Sequence, residues 1–410
     1  MSNTRTRWLV AQLGARMHYA VPRILADADL LEHLFTDICA IKGWPSLLPH
    51  LPARILPAAI RRLTGRIPYG VPANRVTAFT QFGWVYAKRR SRAKSSTEEA
   101  AVNLWANKRF CELIRNEGFG AASGLYTFNS TGLELMRAAR SSGLRCVMEQ
   151  TIAPKRIERT LLDEEHKRFP GWELESYDAL GDEFISREEG EWDAADLILC
   201  GSEFVREGVV QMGGSSERCR VVPYGVDAVF PQQRTLTERS GPLRVLTVGK
   251  VGLRKGSPYV LEAAKALKKE AVFRIVGSIG VSRRAETELR KNIELTGPVP
   301  RSEIYRHYTW ADVFLLPSIC EGSATVTYEA LSTGLPVICT PNAGSLVSDG
   351  ADGFVIPVRD ASAVIRALGY FIGQPVRIGI FRAHAIARAR EFSVVGYSER
   401  LLRALSIESA

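Results

Sequence analysis

The chain is poor in the residues that announce the simplest site chemistries. Its six histidines are dispersed, with no HxH or HExxH spacing, which argues against a catalytic metal. The seven cysteines (Cys39, Cys111, Cys146, Cys200, Cys219, Cys320 and Cys339) are odd in number and never spaced CxxC. A disulfide framework or zinc site is therefore not expected, and small buried thiols in a reducing compartment are. No apolar run reaches the ~18 residues that a membrane-spanning helix needs. No GxGxxG follows the first strand, and Gly252-Leu-Arg-Lys255-Gly-Ser lacks the spacing of a Walker A loop. The opening residues Met1 to Trp8 contain no apolar signal region, so a cytoplasmic location is expected.

What is present suffices for large folded domains. The 410 residues are 46% hydrophobic and 24% charged, with mean hydropathy near zero, which excludes a disordered chain and suggests two or three domains. The net charge of +10 lies entirely in residues 1–118, where 18 Lys and Arg face 8 Asp and Glu; the remainder is balanced. A basic N-terminal part points to nucleic acid, an anionic membrane or acidic substrates. The basic runs are not interleaved with stacking aromatics, so nucleic acid is not expected.

The second half alternates short apolar strands with helical spacings. Arg244–Gly249, Val272–Gly277, Ile293–Gly297, Asp312–Pro317 and Pro336–Thr340 read as strands, and Ser257–Glu270, Arg283–Asn292, Ser302–Tyr308 and Thr325–Thr333 as helices. The first half shows the same rhythm, with strands at Trp8–Leu13, Val76–Thr80, Gly124–Phe128, Leu144–Met148, Leu197–Cys200 and Arg220–Val222. Near-continuous apolar strands separated by helices imply parallel sheets covered on both faces. The expectation is α/β, with two Rossmann-like doubly wound domains facing a central cleft. Residues 1–235 form an acceptor-side domain, 236–390 a ligand-binding domain, and 391–410 a helix packing back on the first; polar Gln232–Gly241 reads as the linker.

Two constellations carry chemistry. In Val248-Gly249-Lys250-Val-Gly-Leu-Arg-Lys255-Gly256 a strand ends in glycine, and two lysines flank a loop that opens a helix, an arrangement able to neutralise a diphosphate. In Pro317-Ser-Ile-Cys-Glu321-Gly-Ser-Ala-Thr-Val-Thr-Tyr-Glu329 two carboxylates bracket a helix start. Gly322, Ser323, Ala324 and Thr325 there offer backbone N–H groups at the positive end of a helix. Asp27-Ala-Asp29 is a nominal DxD, but Arg23–His33 reads as helical, so a surface helix is the better reading.

Together these blocks resemble the retaining family-4 glycosyltransferases (group 1) of the GT-B fold. Ala195–Val205, Val222-Pro-Tyr-Gly-Val-Asp227, the Gly249/Lys250/Lys255 loop, the E-x7-E block and Gly353-Phe-Val-Ile-Pro357 carry the likeness. The resemblance implies that Lys250, Lys255 and Glu321 are catalytic, the lysines contacting a nucleotide diphosphate sugar. It implies further donor contacts at Gly14, Gly249, Gly297, Val299, Gly322, Ser323, Ala324, Thr325 and Glu329, the last on the ribose hydroxyls. Ser323 and Ala324 stand where the family usually has an aromatic and a glycine, and no histidine follows the strand at 144–148. Glu149 and Gln150 stand there instead and, with His18, are acceptor-side candidates. The implied activity is retaining transfer of a sugar to a hydroxyl acceptor, a glycan or lipid-linked glycan in polysaccharide biosynthesis, with no metal or other cofactor. The alternatives are a nucleotide-sugar epimerase, a phosphorylase, or a non-catalytic nucleotide-sugar-binding subunit.

Leu47–Arg66 mixes leucine and isoleucine with Arg54, Arg61, Arg62 and Arg66, and Lys88-Arg89-Arg90-Ser-Arg-Ala-Lys94 adds five positive charges. A short helix from Pro57 through Leu63 would show Ile60 and Leu63 beside arginines, the composition of an element lying on an anionic membrane surface. A peripheral position at the cytoplasmic membrane face is the resulting expectation.

Overall fold

The computed structural model describes residues 6–50, 60, 63–173, 178–226 and 241–406. Parallel pairing organises both halves. The first sheet comprises β1 (Trp8–Gln12), β2 (Leu31–Thr36), β3 (Val76–Ala78), β4 (Gly124–Phe128), β5 (Arg145–Gln150), β6 (Leu197–Cys200) and β7 (Cys219–Val221). Its spatial order is β3-β2-β1-β4-β5-β6-β7. The second comprises β8 (Leu243–Val248), β9 (Ala271–Val276), β10 (Ile293–Gly297), β11 (Val313–Leu316), β12 (Val337–Cys339) and β13 (Gly353–Val355), in the order β10-β9-β8-β11-β12-β13.

Strands buried on both faces need apolar side chains at successive positions. Every residue of β1, β4, β6 and β11 is buried accordingly. The chain reverses direction across each sheet between β1 and β4 and between β8 and β11, so a crevice opens at the carboxyl ends of those strands.

Helix boundaries follow local chemistry. Ser95 accepts the Glu98 amide at 3.1 Å and Glu98 accepts the Lys94 amide at 2.7 Å, which starts the helix Ser96–Glu117. Asp360 caps Ala361–Gly369 in the same way through the Ala363 amide. The final helix, Val394–Ser406, buries Tyr397, Leu401 and Leu405 in the core of the first sheet, beside Tyr126 and Tyr224. Arg145 donates to the Leu405 carbonyl and Arg400 to that of Pro223, completing the attachment.

Some expectations need correction. Arg23–His33 is not one helix: the helix Ala20–Asp27 ends there, and His33 lies within β2. The Phe35 and Leu34 side chains of β2 point to opposite cores, which hides a strand inside a stretch of mixed polarity. Asp29, with φ of 53°, sits in the turn before β2, at the amino end of the sheet and away from the crevice. It pairs with Arg7 and Arg75. The Gln232–Gly241 linker lies outside the described residues except for Gly241.

Candidate active site

Lys255 and Glu321 meet because two loops touch. Gly256 adopts φ of +69°, and a Cβ there would stand 2.0 Å from the Pro317 carbonyl, so only glycine lets the loop after β8 lie on the loop after β11. Lys255 Nζ then lies 2.8 Å from Glu321 Oε1, and Arg254 Nη1 lies 3.2 Å from Glu321 Oε2. Both Lys255 and Glu321 are buried. Burial lowers the Lys255 pKa below that of an ordinary lysine, while the Glu321 charge acts in the opposite sense. One carboxylate thus holds two cations at the crevice edge, and the sequence reading assigned no role to Arg254.

The same loop closes the crevice from below. Gly322 forms an antiparallel bridge with Ile152, and the Ala153 amide donates to the Glu321 carbonyl at 3.2 Å. Ser202 donates to the Gly322 carbonyl at 2.6 Å. Ser323 is buried, 2.6 Å from the Tyr328 hydroxyl and donating to the Gly344 carbonyl at 3.2 Å. Of the N–H groups expected to be free, that of Ala324 is not: it donates to the Ala343 carbonyl at 3.0 Å. Thr325 is exposed at the first turn of the helix Thr325–Ser332.

Glu329 stands further along that helix. It accepts from the Tyr308 hydroxyl at 2.8 Å and lies 3.7 Å from Arg301 Nη2. Neither partner was anticipated from spacing, because both come from the preceding helix Arg301–Trp310. Gly249 receives the Lys255 side chain across its face. Gly297 ends β10 with φ of +76°, and Val299 packs in the cluster holding Tyr308. Lys250 is exposed and runs across Gly280, so the two lysines do not converge.

A cavity of about 570 Å³ separates Glu321, Gly322 and Ser323 from the first domain's wall. That wall carries Gly14, Arg16, Asp37, Arg66, Asn129 and Thr151. The Gly14 amide donates to Asp37 Oδ1 at 3.0 Å, and Arg66 Nη1 lies 2.9 Å from Asp37 Oδ2. Arg16 donates to Thr151 Oγ1 at 2.9 Å, and Thr151 donates on to Asn129 Oδ1 at 2.7 Å. Arg16 precedes Met17, His18 and Tyr19, whose φ values of 44°, 51° and 61° are unusual for residues other than glycine. Apart from Arg66, which lies in the long connection between β2 and β3, these polar wall residues follow strand ends in a half with no repeated motif, so only the topology gathers them.

The acceptor-side candidates do not reach this cavity. Glu149 is fully buried beneath it, accepting from Tyr126 and, at 2.8 Å, from Tyr224. Burial raises its pKa. Gln150 is spent on Ile152, Glu188 and Trp192. His18 is exposed and outside the cavity lining. The proposed membrane element also changes. Arg54, Arg61 and Arg62 lie outside the described residues, Leu63 is buried against Ile38 and Leu48 with Ile60 beside it, and Arg66 faces the cleft. Arg89 lies 4.0 Å over the Trp105 ring and Arg90 pairs with Glu99, and both remain exposed together with Lys88.

The half of the chain that supplies Lys255, Glu321 and Glu329 has recognisable relatives. Residues 242–374 match the family of group 1 glycosyl transferases. WcaL of Salmonella typhimurium, named for a glycosyltransferase role in colanic acid biosynthesis, is 32% identical over 192 residues, covering 43% of this chain and 47% of WcaL. The amylovoran biosynthesis glycosyltransferase AmsK of Erwinia amylovora is 29% identical over 192 residues, or 42% of this chain and 46% of AmsK. This chain thus spans just under half the length of these relatives. Whole-chain likeness appears in solved structures of the GT-B fold. Sucrose-phosphate synthase from Thermosynechococcus elongatus superposes with a TM-score of 0.66 at 16% identity, covering 98% of both chains. Anabaena HepE, crystallised with UDP and glucose, gives 0.60 at 15% identity, over 98% of this chain and 100% of HepE. The fold of this chain is GT-B.

Proposed function

We propose that this chain is a glycosyltransferase that moves a sugar from a nucleotide diphosphate sugar to a hydroxyl acceptor. The proposal includes retention of anomeric configuration, as in family 4, and a glycan or lipid-linked glycan acceptor in polysaccharide assembly. One observation carries it: Lys255 and Arg254 meet on Glu321 at the edge of an interdomain cavity, at strand carboxyl ends. Breaking a glycosyl–phosphate bond puts charge on the departing diphosphate. Lys255 is the buried cation beside that position, and a preorganised cation in a dry site stabilises such charge more than water does. Glu321 orients Lys255, and its carboxylate, engaged by Lys255 and Arg254, has further lone pairs to accept from sugar hydroxyls, while Glu329 accepts from ribose hydroxyls. In a retaining mechanism the departing phosphate oxygen takes the acceptor proton as the new glycosidic bond forms.

The matched group 1 region and the UDP-bound HepE structure support a nucleotide-sugar donor. Among the described residues no helix is long and apolar enough to cross a membrane. A peripheral position at an anionic membrane, through exposed Lys88, Arg89 and Arg90, belongs to the same proposal. The test is a screen of UDP-, GDP- and ADP-sugars for stabilisation and turnover, run in EDTA, in which activity is expected to persist. Lys255→Ala should lower kcat about 10²–10³-fold, and Glu329→Ala should weaken nucleotide-sugar binding. Unchanged kinetics in both variants, each checked for folding, would overturn the assignment.

A further inference from the structure

Three arginines line the cleft cavity from the first domain, Arg16, Arg66 and Arg90. Two are already neutralised, Arg66 by Asp37 at 2.9 Å and Arg90 by Glu99 at 2.9 Å. Arg16 differs. Among the described residues its guanidinium forms no ion pair, and its hydrogen bond goes to the neutral hydroxyl of Thr151. The guanidinium carbon lies 5.5 Å over the Phe128 ring, so one face is covered while the side chain still lines the cavity.

The backbone beside Arg16 is held in an unfavourable shape. Met17, His18 and Tyr19 are left-handed in succession, a conformation that costs energy for residues with a Cβ. Buried side chains hold this loop at both ends. Gln12, fully buried, donates to the Gly14 carbonyl at 3.0 Å and to the Arg16 carbonyl at 3.3 Å, and Tyr19 is anchored in the core. Local strain that the surrounding fold maintains concentrates at functional loops.

Arg16 also stands beside the donor loop. Its partner Thr151 lies against Gly322, where a Cβ would meet the Thr151 carbonyl at 2.1 Å, and Ile152 forms a bridge with Gly322. Arg16 thus faces, from the first domain, the segment on which Glu321 gathers Lys255 and Arg254. Two cations sharing one carboxylate offset only part of the charge of a diphosphate. Lys250 does not add to them, since it runs across Gly280.

We infer that Arg16 is a catalytic residue of the transfer, a cation supplied by the first domain to the departing diphosphate. This rests on the glycosyl-transfer reading above. As the acceptor oxygen bonds to the anomeric carbon, the bond from that carbon to the phosphate oxygen breaks. Its electron pair stays on the phosphate oxygen, which takes the acceptor's proton. The Arg16 guanidinium meets the non-bridging oxygens of that phosphate as a planar fork, opposite Lys255.

The test uses the full chain and whichever of the UDP-, GDP- and ADP-sugars turns over fastest. Arg16→Ala should lower kcat about 10²-fold or more. It should weaken the matching nucleoside diphosphate about tenfold or more, while the nucleoside monophosphate stays within about twofold. Arg16→Lys, which keeps the charge without the fork, should retain more activity than Arg16→Ala. Guanidinium chloride at millimolar concentration should restore part of the kcat of Arg16→Ala, whereas urea, similar in shape and neutral, should not. Thermal melts check that both variants fold. Unchanged kcat, an equal loss on the two nucleotides, or no difference between guanidinium and urea would each overturn the inference. Full activity in Arg16→Ala with Lys255→Ala still impaired would remove Arg16 alone and leave the transferase reading. No stabilisation or turnover with any nucleotide sugar would remove both.

Discussion

Buried carboxylates in this chain do two different jobs, and the difference is visible in their partners. Glu321 meets cations from a neighbouring loop, whereas Glu188 and Glu191 meet amides within their own domain. Glu188 accepts from Gln150 and the Lys155 amide, and Glu191 from the Ser130 and Gly132 amides. Burial pushes Glu188 up to about 7 and Glu191 up to about 8 from an ordinary 4.5, against the pull of those donors. Between about 4.5 and about 8 the folded chain therefore keeps protons that the unfolded chain has released. The stability these groups contribute is complete below the unfolded pKa and is lost as pH rises through the folded one. Tm should fall from pH ~5 to pH ~8, and Glu191→Gln, which cannot ionise, should flatten that slope. An unchanged slope would place the proton uptake elsewhere.

The loop Glu321–Gly322 is the element on which the site depends. A Cβ on Gly322 would stand 2.1 Å from the Thr151 carbonyl, and backbone cannot yield as a flexible side chain can. Gly322→Ala should push this loop off the first domain and shift Glu321 and Lys255 with it. Misplacement of about 1 Å in a reacting geometry costs roughly 10²-fold in rate. We expect a loss of that order in kcat with Tm nearly unchanged, measured by steady-state kinetics and thermal melts. β11, which leads into this loop, and β12, which follows the helix Thr325–Ser332, were legible because they are short apolar runs with turn residues at both ends. β2 was not, because Glu32 and His33 interrupt its apolar pattern and read as helical surface.

At the scale of the whole molecule, the C-terminal helix makes the first domain dependent on the end of the chain. Leu401 is fully buried in the core that contains Tyr126 and Tyr224. Leu401→Ala should cost about 2–5 kcal/mol of stability, by lost burial and the cavity left behind. The loss should appear as a lowered Tm, with nucleotide affinity of the folded fraction retained, since the second sheet keeps its own core.

Periodicity and local torsion act over a few residues, and so the sequence by itself determined the alternation of strand and helix, the parallel sheets, the loops bearing Lys255 and Glu321 and the helix bearing Glu329. Which polar groups face the cleft depends on contacts far along the chain, and only the tertiary structure decided it. Glu149 is buried because Tyr224 lies over it, 75 positions later. Arg16 faces the cavity through Thr151, 135 positions away. Lys250 and Lys255 sit in one short loop, yet the packing of Gly256 on Pro317 turns one inward and leaves the other in solvent. Solvation of a charged group is a property of everything packed around it, and spacing along a chain carries no record of that.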